Sequence, residues 1–103
     1  MDSKDEVNYQ YIYLDAEKRR AATILYKALT LAHKLYKEGE KDAERLQQEM
    51  VSLISGEPLN KIDYVSIADR ETLEELSTIN HTALVSVAVR IGGVRLIDNV
   101  LLL

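Results

Sequence analysis

Ala83-Leu84-Val85-Ser86-Val87-Ala88-Val89-Arg90-Ile91 is followed by Gly92-Gly93 and then by Val94-Arg95-Leu96-Ile97-Asp98-Asn99-Val100-Leu101-Leu102-Leu103, two apolar runs about a pair of glycines. Ala83, Val85, Val87, Val89 and Ile91 share one parity and form an unbroken apolar face, while Ser86 and Arg90 on the other parity leave that side partly wet. A strand with one buried face belongs to an antiparallel sheet covered on one side only. Gly92-Gly93 has the length and residue type of a two-residue primed hairpin turn, so the two runs are expected to pair. Upstream, the β-branched run Ile62-Asp63-Tyr64-Val65-Ser66-Ile67-Ala68 predicts the third strand of a meander.

Working further back, the period changes from two to between three and four. Ala21, Leu25, Ala28, Leu29, Ala32, Leu35 and Tyr36 lie on one helical stripe, which predicts a helix over about 15–38 with Asp15 as N-cap and Gly39 as a left-handed stop. A second helix starts at Asp42, carries Ala43, Leu46, Met50, Leu53 and Ile54 on one face, and closes at Gly56 and Pro58. Two amphipathic helices joined this closely form an antiparallel hairpin. Asp69-Arg70-Glu71-Thr72-Leu73-Glu74-Glu75-Leu76 reads as a capped turn of helix, because Asp69 and Thr72 are followed three residues on by Thr72 and Glu75. The alternation of Val7, Tyr9, Tyr11 and Tyr13 predicts an extended segment or edge strand over 7–14, and residues 1–6 read as a disordered lead-in. The expected fold is α+β, a two-helix antiparallel hairpin packed on one face of a three-stranded antiparallel sheet, in a single domain.

Composition narrows the function. At 103 residues, with 47% hydrophobic and 29% charged residues, one modest core is expected and a second domain does not fit. The absence of Cys removes disulfide frameworks, thiolate metal sites and cysteine nucleophiles together. A net charge of −4 argues against a nucleic-acid partner, and the lack of a signal peptide or an 18-residue apolar run predicts a cytoplasmic protein with no membrane partner.

Little in the chain carries chemistry of its own. All four glycines are taken by helix ends and the hairpin, so no phosphate-cradling loop is left. His33 and His81 have no metal-ligand spacing, no Ser lies in a nucleophile elbow, and Glu74-Glu75 are adjacent and point different ways. Lys18-Arg19-Arg20 with Lys27, Lys34 and Lys37 is read as a solvated face, since Glu17, Glu38 and Glu40 interleave. Catalytic, cofactor-binding and metal-binding residues are therefore expected to be none. Asp63, Arg95 and Asp98 are polar insertions in apolar strands that must find partners or water, and Arg95 and Asp98, on opposite parities, need different ones.

At these insertions a family resemblance emerges. The order Tyr13-Leu14, Gly39-Glu40-x-Asp42-Ala43, Asp63-Tyr64-Val65, Asp69-x-x-Thr72-Leu73 and Gly92-Gly93-x-Arg95-Leu96-Ile97-Asp98-Asn99 resembles the C-terminal domain of the pantothenate synthetase (pantoate-β-alanine ligase) family, from Tyr13 to Leu103. The resemblance implies an α+β domain that closes as a lid over an N-terminal domain, where ATP and pantoate form pantoyl adenylate before β-alanine attacks. In that family ATP meets a His-x-Gly-His motif in the N-terminal domain and a Met-Ser-Ser-Arg-Asn segment leading into the lid. Aligned on Tyr13-Leu14, the second motif falls on Val7, Asn8, Tyr9, Gln10 and Tyr11 and matches none of them. Gln10 stands where the phosphate-binding Arg would be and cannot bind bidentately. No ATP-site residue carries over, and no cofactor is expected.

What stands there instead is Asn8-Tyr9-Gln10-Tyr11-Ile12-Tyr13, three tyrosines and two amides in six residues, a composition favoured at interface centres. The favoured expectation is a non-catalytic protein-binding or engineered interaction module on this scaffold. Its contact residues would be Asn8, Tyr9, Gln10, Tyr11 and Tyr13, and its partner another protein or a second copy of the chain. The alternative is an isolated fragment of pantoate-β-alanine ligase, inactive without its N-terminal domain.

Overall fold

The computed structural model describes residues 16–91 and 93–103. Two helices, α1 (Ala16–Lys37) and α2 (Ala43–Ser55), precede three strands, β1 (Asn60–Asp69), β2 (Ala83–Ile91) and β3 (Val94–Leu102). The strands form an antiparallel sheet in the order β1-β2-β3, and the fold class is the one the periodicities predict.

The helix hairpin is set by local chemistry at its bend. Past the last turn of α1, the Glu40 amide donates to Leu35 O and the Gly39 amide to Tyr36 O, each at 3.0 Å, while Gly39 takes φ 108. That pair of bonds is a Schellman stop, and its left-handed residue is where glycine costs least. Two residues on, Asp42 caps α2 by accepting the amides of Glu44 at 3.0 Å and Arg45 at 3.4 Å. α2 ends without a left-handed residue, Gly56 keeping φ −66.

The core lies between the hairpin and one face of the sheet. Leu25, Ala28, Leu29 and Ala32 of α1 and Ala43, Leu46, Met50 and Ile54 of α2 meet Val85, Val87, Val89 and Ile91 of β2, with Val65, Ile67 and Leu102 at the flanks. α2 lies over β1, where the Gln47 side-chain amide donates to Val65 O at 2.6 Å and that of Asn60 to Ile54 O at 3.1 Å. α1 lies over β2 and β3.

Residues 69–76 are not helical. Asp69 does cap, its carboxylate accepting the amides of Glu71 and Thr72 at 2.8 and 2.9 Å, but the chain then turns back. Leu73 adopts φ 63, the Asp69 amide donates to Glu74 O at 2.8 Å, and Glu75 bridges to Ala68 beside β1. No apolar stripe follows the cap, so nothing drives a further helical turn onto the core. The same connection is then stitched to the start of α2: the Ala43 amide donates to Ser77 O at 3.0 Å, the Ile79 amide to Lys41 O at 2.8 Å, and Ile79 is buried. Among the described residues no helix is long and apolar enough to cross a membrane.

Candidate functional site

The predicted contact residues Asn8, Tyr9, Gln10, Tyr11 and Tyr13, with the extended segment 7–14, the lead-in 1–6 and the Asp15 cap, lie outside the described residues. The site that can be built is the sheet face turned away from the helices.

A one-residue slip in β1 creates it. Ile62 stands opposite Val89, yet Tyr64, not Asp63, stands opposite Ala88, so Asp63 is an extra residue at a β-bulge. The bulge inverts the parity of β1. Ile62 and, beyond the slip, Val65 and Ile67 all pair with core-facing residues of β2, whereas Tyr64 and Ser66 pair with the outward Ala88 and Ser86. Asp63 lands on the outer face beside two arginines, which are themselves direct cross-strand partners. Arg95 Nε donates to its carboxylate at 2.8 Å and Arg90 Nε at 3.3 Å. These charge-assisted bonds, the one from Arg95 foremost, hold the Asp63 carboxyl below its ordinary value of 3.8. Sequence parity shows that Asp63 and Arg95 need partners, and the structure supplies each with the other. Asp98, on the opposite parity, turns to its own neighbour, accepting the Asn99 amide at 2.8 Å.

Towards the far end of β1 a groove runs along the edge of the sheet between that strand and α2, lined by Glu44, Gln47, Tyr64, Ser66, Glu75 and Ser77. Glu75 is spent on structure there: its carboxylate accepts the Ser66 hydroxyl and, at 3.2 Å, the Ile67 amide. Asp69 is likewise held below 3.8, by the amides of Thr72 and then Glu71. His33 is half-buried on α1 and His81 is exposed. Among the described residues no group of three His, Asp or Glu side chains could hold a metal ion. The basic residues of α1 are partly engaged, Arg20 lying 3.8 Å from Glu57 and Lys37 Nζ donating to Leu103 O at 3.0 Å.

A helix hairpin over a three-stranded meander, with one bulged aspartate holding two arginines on the outer face, is a small α+β domain. The family model for pantoate-beta-alanine ligase matches residues 9–101, and the chain belongs to that family. The pantothenate synthetase of Herpetosiphon aurantiacus is 53% identical over 91 residues, 87% of this chain and 33% of its own length. That of Roseiflexus sp. is 47% identical over 91 residues, 88% of this chain and 33% of its own length. The crystal structure of pantothenate synthetase from Thermus thermophilus superposes with a TM-score of 0.77 at 33% identity, covering 87% of this chain and 32% of that one. The chain thus spans about a third of the length of the relatives it matches, and it has the fold of their C-terminal domain. The family match begins at residue 9, four positions before the Tyr13 at which the quoted motifs start, and so includes Tyr9 and Tyr11.

Proposed function

We propose that this chain provides, in the cytoplasm, the C-terminal domain of a pantoate-β-alanine ligase, and that the ATP-dependent joining of pantoate to β-alanine is carried by residues outside it. The observation that carries this reading is the family match over 9–101 together with the shared fold. Val7, Asn8, Tyr9, Gln10 and Tyr11 supply none of the phosphate-binding groups that the resemblance leads one to look for. Asp63 is committed to two arginines and Glu75 to the Ser66 hydroxyl and the Ile67 amide. On this reading the isolated chain, given ATP, pantoate and β-alanine, releases no AMP above buffer. Residues 16–103 placed in the Herpetosiphon aurantiacus enzyme, in exchange for its own matching segment, give a folded and active ligase. AMP from the chain alone, or a folded chimera without activity, contradicts it.

A second reading keeps the interaction module, with Asn8, Tyr9, Gln10, Tyr11 and Tyr13 as its contact surface. It is favoured by the density of tyrosines and amides in that segment. Sedimentation of the chain across concentrations, with and without Tyr9→Ala plus Tyr11→Ala, tests it. Association that the double variant abolishes at unchanged melting temperature supports it; a monomer that captures no protein partner ends it.

A further inference from the structure

The bulge at Asp63 leaves a charge pattern that folding alone does not call for. Lys61, Arg90 and Arg95 are direct partners across β1, β2 and β3, so three cations stand in one row at the hairpin end of the outer face. Like charges placed directly opposite each other destabilise a sheet. Among the described residues Asp63 is the one carboxylate within ion-pair distance of the row, and Lys61 forms no ion pair. The row therefore keeps two uncompensated positive charges in a chain whose net charge is −4.

Its geometry selects a ligand. Asp63 engages both arginines through Nε, at one edge of each guanidinium, and the Arg90 and Arg95 side chains, 60% and 44% exposed, stay open to a further acceptor. Guanidinium forks suit the oxygens of phosphoryl groups, and an ammonium beside them adds charge without demanding geometry. Adjacent strands lie about 4.8 Å apart, so the row is about 10 Å wide, a span for two linked phosphoryl groups rather than one.

We propose that Lys61, Arg90 and Arg95, oriented by Asp63, form a binding site for a diphosphate group. The site is separate from the ligase reading and stands or falls on binding to the isolated chain. In an NMR titration with inorganic pyrophosphate at physiological ionic strength, saturable shifts are expected at residues 61, 63, 90 and 95. Lys61→Gln, which leaves the Asp63 pairs intact, weakens binding about threefold to fivefold. Arg90→Lys with Arg95→Lys, which keeps the charge and removes the forks, weakens it about tenfold. Lys27→Gln on α1 changes nothing. Shifts that do not saturate, that spread equally to the lysines of α1, or that Lys61→Gln leaves unaltered overturn the proposal. Acetate binding the same residues as tightly as pyrophosphate overturns it too, since the row would then read any carboxylate, including one on a neighbouring protein.

Discussion

The two faces of this sheet are made by different physics. On the inner face Val85, Val87, Val89 and Ile91 have no exposed surface, and both helices spend their apolar stripes covering them. On the outer face Ile97 is 56% exposed and Tyr64 39%, and at the hairpin end one aspartate is held by two arginines. The inner face is a volume-filling problem spread over many side chains. The outer face is organised by a few polar contacts, the Asp63 ion pairs foremost, and leaves apolar and cationic groups facing outward.

Substitutions on the two faces should therefore differ in kind and in size. Ile91→Ala opens a cavity at a fully buried position and is expected to cost about 2–5 kcal/mol in urea unfolding. A cost below that range would mean that the hairpin end of the core is loosely packed. Asp63→Asn comes next. It removes the charge that both arginines share, and its melting-temperature loss at neutral pH should be smaller than that of Ile91→Ala and should shrink with added salt. The carboxyl is depressed in the folded state, so its contribution is fully present above the ordinary carboxylate value of 3.8. It is lost as pH falls through the lowered folded value. The gap in melting temperature between wild type and Asp63→Asn must therefore close on acidification below pH 3.8; a gap that widens there contradicts the assignment. Smallest of all is Ile97→Ala, expected within about 0.5 kcal/mol of wild type because the side chain is mostly exposed already. A larger loss would show that the outer face is covered in solution.

The same contrast governs what is legible in the sequence. The inner face announces itself as period two in β2 and as a stripe at three and four in the helices, and Gly39 and Asp42 mark the bend by residue type. The outer face does not. Inserting one residue at Asp63 has no compositional signature, and it silently exchanges the parity of Val65 and Ile67 with that of Tyr64 and Ser66. Asp63 and Arg95 are visible as polar residues needing partners, but their pairing spans 32 positions and depends on that bulge. The segment after Asp69 misleads in another way, since an aspartate accepting the next amides opens a helix and a turn alike. What decides is the absence of an apolar stripe beyond it, and Leu73 then takes the left-handed conformation in which a leucine is rare.

With β2 at the centre of its sheet and both helices on one side, the isolated chain is expected to fold by itself as this ligase-family domain. Amide hydrogen exchange on the 103-residue chain tests that most directly. The inter-strand amides of Val85, Val87 and Val89 are expected to exchange slowest, through global unfolding, while those of residues 70–74 exchange far faster. Equal, weakly protected exchange in β2 and in that connection would contradict it.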